Sequence, residues 1–298
     1  MKPPPFSYHD PGTVTEAVQL LASLDNAKLL AGGQSLMPML NMRYAQPDHV
    51  IDLNRVEGLS YIREDAGGLE IGAMTRQRDL EFSEDVKRLC PLLAEAMPLI
   101  GHRQTRNRGT IGGSLSHFDA SAEIPTVCTA VDAIVRVEGP NGEREIPFKD
   151  FPAGYLTTSM ALDEVLKSVR LPPWAAGHGH GFEEFARRHG DFAIVSAAAL
   201  IEAGTDGAIT RVSVTIGGIG PAPFRVAAAE AALVGQAGSA AALAAAAEHC
   251  RDIDAHDDIH APASYRQHLA VVLARRALEK AWTRVEAGPG EPNMGPTT

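Results

Sequence analysis

Two glycine pairs hold the chemistry that can be read most directly from the sequence. Ala31-Gly32-Gly33-Gln34-Ser35 follows the apolar Leu29-Leu30, and Thr110-Ile111-Gly112-Gly113-Ser114 follows a basic stretch from Arg103 to Arg108. Glycine lets a backbone approach a ligand with no Cβ in the way and reach positive φ. Successive N–H groups in such a turn form a concave nest for anions, above all phosphates. The flanking Ser and Thr hydroxyls add donors. One Gly-Gly is an ordinary turn, but two of them, far apart in sequence, predict a diphosphate held from both sides.

The other candidate groups carry less. The histidines include no His-Glu-x-x-His. His178 and His180 offer only two metal ligands, in a glycine-rich stretch that makes a poor cage. The tract Asp252, Asp254, His256, Asp257, Asp258, His260 reads as a solvated acidic linker. Asp119 and Glu123 are four apart, which puts them on one face if the segment is helical. They either accept from sugar hydroxyls of a ligand or are charges favoured at a helix N-terminus by the dipole. Ile216-Gly217-Gly218-Ile219-Gly220 echoes the glycine pairs but leads into Pro221 and Pro223, so it reads as a structural bend. A GxGxxG after a strand is missing, as are a P-loop and a nucleophile elbow, which argues against a Rossmann nicotinamide domain.

These segments need a scaffold, and 298 residues are enough for two or three subdomains with their own cores. A hydrophobic share of 45% and a charged share of 21% predict a soluble globular chain. A net charge of -10 argues against nucleic acid as a partner, since phosphate backbones need a basic face. No stretch approaches the roughly 20 apolar residues of a membrane helix. The start, Met1-Lys2-Pro3-Pro4-Pro5, lacks the apolar region of a secretory signal. Cys90, Cys128 and Cys250 show neither a disulfide framework nor a Cys-x-x-Cys site, and an iron–sulfur cluster typically takes four cysteines. They are expected to be small buried apolar residues, in a chain of the reducing cytoplasm.

Hydrophobic patterning divides the chain. Residues 1–56 read as a small αβ unit, with a helix from Val14 capped by Thr13, a buried strand at Ala27 to Ala31, Pro38 in the first turn of a short helix, and a strand at Val50 to Leu53. Residues 57–175 change to strands and short helices. Leu69 to Ala73 alternates as a half-buried strand should, Thr75 or Asp79 is the expected cap of the next segment, and Pro91 to Ile100 reads as a helix leading into a basic loop. Ala120 to Val131 has helical spacing, Pro140-Asn141-Gly142 marks a hairpin, and Glu164 to Leu171 is a strand. Residues 174–182 form a glycine-rich joint. A C-terminal part over 180–286 comes next, with strands at Phe192 to Glu202 and Ala208 to Gly217, an alanine-rich helical stretch at Val226 to Cys250 and an amphipathic helix at Tyr265 to Val285. The end, 287–298, reads as a flexible tail.

The glycine segments also resemble a known family. Leu29-Leu30-Ala31-Gly32-Gly33-Gln34-Ser35-Leu36-Met37-Pro38, with Arg43, Pro47 and Asp52-Leu53 behind it, is similar to the FAD-binding subunit of molybdenum hydroxylases, the family of carbon monoxide dehydrogenase and xanthine dehydrogenase. Arg106-Asn107-Arg108-Gly109-Thr110-Ile111-Gly112-Gly113-Ser114-Leu115 resembles its second signature, and the likeness runs from Phe6-Ser7-Tyr8 to Arg275-Arg276-Ala277-Leu278. The resemblance implies an α+β fold: a two-subdomain FAD domain of the vanillyl-alcohol oxidase type, then a small C-terminal domain of antiparallel sheet and helices. It implies non-covalent FAD on Leu30 to Met37 and on Thr110 to Ser114, with Glu123 in the position of an acidic flavin contact and Asp119 beside it. By the same likeness Ile100 and Leu166 approach the flavin, and the stretch from Arg187 to Phe192 reaches it from the C-terminal domain. Phe192 either covers the ring or is a core aromatic opening a strand. The implied function is that of the FAD-carrying subunit, an oxidoreductase component without a catalytic acid or base of its own. The resemblance further implies that the molybdenum cofactor and [2Fe-2S] clusters sit on a large and a small partner subunit, in a doubled heterotrimer. Arg103, Arg106 and Arg108 either steer an acidic partner or serve the diphosphate. The rival readings are a stand-alone flavin oxidase or reductase and a non-catalytic nucleotide-binding assembly module.

Overall fold

A computed structural model describes residues 1–287. The chain opens with β1 (Ser7–His9), α1 (Val14–Ser23), β2 (Ala27–Leu30), α2 (Leu36–Asn41) and β3 (His49–Asp52). Thr13 caps α1 as expected, in a reciprocal box. Its hydroxyl accepts from the Glu16 amide at 3.2 Å, and the Glu16 carboxylate accepts from the Thr13 amide at 3.3 Å. The three strands form a parallel sheet in the order β1-β3-β2, with Ala17 and Val18 of α1 packed over Ile51 and Leu53. β1 has only three residues, too few to show a period.

The second unit contains β4 (Ile62–Asp65), β5 (Gly68–Gly72), α3 (Gln77–Phe82), α4 (Glu84–Leu89), α5 (Pro91–Ala96), α6 (Arg103–Arg108), α7 (Ile111–His117), α8 (Glu123–Ala130), β6 (Ile134–Gly139), β7 (Gly142–Pro147), β8 (Pro152–Gly154), β9 (Thr157–Thr158) and β10 (Val165–Leu171). Its antiparallel sheet runs β4-β5-β10-β6-β7, so the last strand in sequence lies in the centre. Four expectations change here. β5 is buried along its whole length rather than on one face, because Glu70 has partners: it accepts from Tyr61 at 2.8 Å, Ser168 at 2.9 Å and Arg63 at 2.5 Å. Burial alone would raise its pKa, but these bonds outweigh it and lower the value to about 2. Neither Thr75 nor Asp79 caps α3. The cap position is Arg76, and the Thr75 hydroxyl is taken up by the backbone of Tyr61. The basic stretch from Arg103 to Arg108 is helix α6, not a loop. Asp119 precedes α8, so it shares no helix face with Glu123. It closes a local turn by accepting from the Ser121 amide at 2.9 Å.

The C-terminal unit is an antiparallel sheet of β11 (Gly179–Phe185), β12 (Val195–Ala203), β13 (Ile209–Gly217) and β14 (Phe224–Arg225), in that order. Helices α9 (Ala227–Leu233), α10 (Ala240–Ala247) and α11 (Ala263–Ala287) contribute to its core. The glycine-rich stretch is shorter as a joint than expected, because β11 already begins at Gly179. Gly179 and Gly181 are needed there by packing: a Cβ on Gly181 would lie 3.1 Å from the Ala277 Cα, so α11 rests directly on the strand. The alanine-rich helix is broken at Gly235, which has φ +81°, and at Gly238, whose missing side chain leaves room for Trp282. The acidic tract is more than a solvated linker. Asp258 pairs at 2.6 Å with Arg266, which is buried, and Asp257 accepts from the Ala263 amide at 2.6 Å to start α11. All three cysteines are buried and free. Ala287 still belongs to α11, and the rest of the expected tail lies outside the described residues.

The two units are clamped by charge. Glu95 of α5 meets Lys280 at 2.6 Å and Arg284 at 2.5 Å, both from α11.

Candidate cofactor site

The first glycine segment joins β2 to α2. Among the described residues, the amides of Gly32, Gly33, Gln34, Ser35 and Leu36 have no protein acceptor. Five consecutive free donors at the end of a strand form an anion nest. Gly33 has φ +73°, the left-handed region that turns its neighbours' N–H groups toward one side. Leu30 and Met37 flank it, within 3.3 Å of where a Cβ would stand. The Gln34 side chain folds back and donates to the Gly32 carbonyl at 3.2 Å, and Ser35, at the N-cap of α2, makes no side-chain cap hydrogen bond.

The second segment lies against the first but does a different job. Gly112 and Gly113 have ordinary φ and form the first turn of α7. Their amides are already used: Ile111 donates to Thr75, Gly112 to Ala73, Gly113 to the Thr110 hydroxyl, and Ser114 to the Thr110 carbonyl. The expected second nest is therefore absent as a set of free donors. The glycines are there for closeness. A Cβ on Gly112 would lie 2.6 Å from the Ala73 Cβ, and one on Gly113 would lie 3.3 Å from the Ala31 Cβ. Gly32 in turn packs on the backbone of Arg108 and Gly109, where a Cβ would collide with the Arg108 carbonyl. The two signatures form a single wall, with one offering amides and the other buttressing it. The Thr110 hydroxyl caps α7 by accepting from the Gly113 amide at 3.0 Å.

Two residues not singled out in the sequence hold the wall together. Asn54 donates to the Ala31 carbonyl at 3.0 Å, and Arg76 donates to the Arg108 carbonyl at 2.5 Å and to Asn54 Oδ1 at 2.6 Å. This Ala31–Asn54–Arg76–Arg108 chain staples one segment to the other. Its only sequence signal is an Asn just after the Asp52-Leu53 of the first signature.

The remaining expected residues are dispersed around this wall. Ile100 and Leu166 are buried in the core of the second unit, and α7 packs on β10, which carries Leu166. Glu123, the first residue of α8, is 3% exposed; burial, reinforced by the charge of Glu184, raises its pKa to about 8. Asp119 is half-buried in its own turn. Arg187 is exposed and lies 3.1 Å from His260 Nδ1, inside the C-terminal unit. Phe192 is 56% exposed and precedes β12, so the core reading fails. Its loop leans on the second unit through Gly190, whose φ of +87° lets it sit where a Cβ would be 2.5 Å from the His102 ring. Arg106 is buried and paired with Glu81 at 2.8 Å, and it also donates to the Ile100 carbonyl. That leaves Arg103 and Arg108 as the exposed members of the basic run.

A nest for a diphosphate, buttressed by a second glycine turn, agrees with what comparison with known proteins finds. Residues 4–174 match the family described as FAD binding domain in molybdopterin dehydrogenase, and residues 180–281 match the CO dehydrogenase flavoprotein C-terminal domain. The alpha subunit of the 6-hydroxypseudooxynicotine dehydrogenase complex of Paenarthrobacter nicotinovorans is 41% identical over 95% of this chain and 97% of its own. The carbon monoxide dehydrogenase medium chain of Hydrogenophaga pseudoflava is 39% identical over 95% of this chain and 99% of its own. Among solved structures, carbon monoxide dehydrogenase from Hydrogenophaga pseudoflava superposes with a TM-score of 0.92 at 42% identity, covering 95% of this chain and 99% of that one. Quinoline 2-oxidoreductase from Pseudomonas putida 86 superposes with a TM-score of 0.91 at 34% identity, covering 96% and 99%. The chain therefore belongs to the FAD-binding family of the molybdopterin dehydrogenases, as an FAD-carrying medium subunit of the molybdenum hydroxylase type.

Proposed function

We propose that this FAD-dependent oxidoreductase subunit is a relay, taking electrons from [2Fe-2S] clusters of a small partner and handing them from FAD to an external acceptor. FAD supplies one- and two-electron transfer when bound; the chain supplies binding, orientation and exclusion of water. The single observation that carries the reading is the run of free amides from Gly32 to Leu36, walled by the second glycine turn. It fits a diphosphate: the positive φ of Gly33 turns the amides to one side, and the bare Gly32 lets the second segment close behind them. In this reading the Ser35, Thr110 and Ser114 hydroxyls complete the diphosphate site. Ile100 and Leu166 form apolar support, Glu123 and Asp119 meet the flavin or its ribityl hydroxyls, and the loop from Arg187 to Phe192 covers the ring side. The same reading divides the chain into FAD subdomains at 1–56 and 57–175 and a C-terminal domain at 180–286, supported by sheets that share no strand across these bounds, although the cores cross them: Phe182, Ala198 and Leu200 pack with the second unit, and Met74 and Val165 with the first.

The partners in this proposal are the small iron–sulfur chain and a large chain holding the molybdenum cofactor, in a dimer of heterotrimers in the cytoplasm. Support for placing the clusters elsewhere comes from the three cysteines, all enclosed among apolar side chains. Burial raises the thiol pKa of Cys90 to about 11 and that of Cys250 to about 12, which disfavours the thiolate a metal requires.

The test starts with the purified chain, which should bind one FAD. Neither glycine segment contains a His, Tyr or Cys to form a covalent link, so acid precipitation should leave the flavin absorbance in the supernatant. Flavin in the pellet would refute non-covalent binding, and turnover of the complex's organic substrate by this chain alone would refute the relay.

Docking can be tested at the exposed Arg103. Charge reversal at Arg106 would break its buried pair with Glu81, whereas Arg103→Glu leaves internal contacts intact. Flavin content should stay at the wild-type level while the yield of complex with the two partner chains falls several-fold at low salt. Loss of flavin with normal assembly would move Arg103 to the cofactor instead.

A further inference from the structure

The third glycine turn, Gly217-Gly218-Ile219-Gly220, takes no part in the diphosphate wall, yet it lies where the C-terminal unit meets the turn before Glu123. The Gly218 amide donates at 2.9 Å to the carbonyl of Ala120, which sits between Asp119 and Ser121. Gly218 has φ +77°, and a Cβ on it would lie 2.7 Å from the Ile194 carbonyl oxygen. Ile194 is where the chain returns from the Arg187 to Phe192 loop: its amide donates to the Phe185 carbonyl at 2.8 Å and closes the neck of that loop. The Ile194 and Gly218 carbonyls meet at a single donor, Nη1 of Arg266 in α11, at 2.5 and 2.6 Å.

Arg266 is 2% exposed, and a cation so deeply buried needs both a counter-charge and acceptors. Its Nη2 pairs with Asp258 at 2.6 Å, and the Asp258 carboxylate is itself fixed by the amides of His260 and Ala261 at 2.8 and 2.9 Å. From the same tract, His256 donates through Nδ1 to the Ile219 carbonyl at 2.9 Å, and His260 Nδ1 accepts from Arg187 at 3.1 Å. The segment 256–260 therefore holds the loop at its start, through Arg187, and at its neck, through Arg266. An apolar side chain of similar volume would fill the same space but leave both carbonyls unpaired. What the guanidinium adds is register: one donor ties the loop neck to the glycine turn, and the glycine turn is tied to Ala120 of the second unit.

We propose that Arg266, held by Asp258, is a positioning residue for the flavin: it sets the Arg187 to Phe192 loop in register with the Asp119 to Glu123 turn, so that the two units approach the ring at a fixed spacing. The ring contact rests on the proposed FAD site; the anchoring of the loop does not. Arg266 acts through the backbone of Ile194, Gly218 and Ala120.

The test uses the full-length chain, with and without FAD, and compares Arg266→Met with Leu273→Ala. Leu273 is buried further along α11 in the core of the C-terminal unit, so its truncation destabilises the same helix while leaving the donor in place. Under native conditions trypsin should cut after Arg187 or Arg188 about ten- to a hundredfold faster in Arg266→Met, because the charged donor at the loop neck is gone. Leu273→Ala should stay within about threefold of the wild type at these bonds. Arg266→Lys, whose ammonium still offers donors to both carbonyls, should recover part of the protection. If Arg266→Met does not fold, Asp258→Asn takes its place, with a smaller acceleration in the same direction. The Kd for FAD should stay within about threefold of the wild type, since the diphosphate nest lies in the other unit. The visible circular dichroism of the bound flavin should nevertheless change shape, and iodide should quench its fluorescence more strongly, while Leu273→Ala leaves both signals as they are. Equal tryptic rates in Arg266→Met and Leu273→Ala would overturn the anchor, whether or not flavin binds. Faster cleavage with unaltered flavin signals would confine Arg266 to holding the loop and overturn the ring register. A wild-type chain that takes up no FAD would sink the cofactor reading and the ring register with it, and the tryptic rates would still decide the anchor.

Discussion

Gly33→Val and Gly32→Ala should each strip FAD from the chain, by two different routes. At Gly33 the backbone sits at φ +73°, where a β-branched residue is strained by about 1–3 kcal/mol. Relief of that strain swings the peptide planes and disperses the five free amides. At Gly32 the torsion is ordinary and the obstacle is backbone. A Cβ there would run into the Arg108 carbonyl and stand 2.8 Å from the Gly109 Cα, and neither can rotate away. Gly32→Ala must push the two signature segments apart, at an overpacking cost of about 1–3 kcal/mol. Gly113→Val should be milder, because its nearest obstacles are the Thr110 hydroxyl at 2.8 Å and the Ala31 methyl at 3.3 Å. The measurement is flavin absorbance per purified chain, with circular dichroism to show that the fold persists. If Gly32→Ala and Gly33→Val purify with full flavin, the nest is not the diphosphate site.

The second large effect is expected at the clamp between the units. Glu95→Ala removes the acceptor that Lys280 and Arg284 share, at 2.6 and 2.5 Å, on a carboxylate only 16% exposed. Removing one partner of a buried pair costs about 3–5 kcal/mol. Lys280 keeps Glu183 and Arg284 keeps the His180 carbonyl, so a loss of roughly 2–3 kcal/mol is expected here. Urea unfolding should show it as a lower midpoint, and Glu95→Gln should recover part of it by hydrogen bonding. A Glu95→Ala variant within about 0.5 kcal/mol of the wild type would show that apolar contacts hold the seam unaided.

Both predictions rest on features that were unevenly legible in the sequence. The αβ opening, the hairpin at Pro140-Asn141 and the long C-terminal helix follow from capping, turn chemistry and period, all of which are local. The family likeness identified both signatures at once. What it could not distinguish is that Gly33 serves conformation while Gly112 and Gly113 serve packing, because a glycine looks the same in either role. The helical state of Arg103 to Arg108 was hidden for a similar reason: a single turn of arginines has no apolar stripe to read. Arg106 looked like surface charge until the fold placed Glu81 beside it, and Glu70 looked like the polar face of a strand until Ser168 arrived from 98 residues away. Asn54 and Arg76 had no signal of their own, since their partners are backbone carbonyls of residues distant in sequence.

The position of β10 has a bearing on how the chain comes to exist at all. It is the central strand of the five-stranded sheet and the last of the five in sequence. Until residues 165–171 have left the ribosome, β4-β5 and β6-β7 are two separate ribbons, each with a bare edge where β10 belongs. Ribbons of that size are barely stable alone, and open edges invite wrong pairing. Ala73 is fixed partly by its bond to the Lys167 carbonyl at 2.9 Å, and it is Ala73 that receives the Gly112 amide. The wall behind the diphosphate nest is thus incomplete for more than half of translation. Flavin loading therefore has to follow the emergence of β10, and a nascent chain stalled before it exposes two open sheet edges.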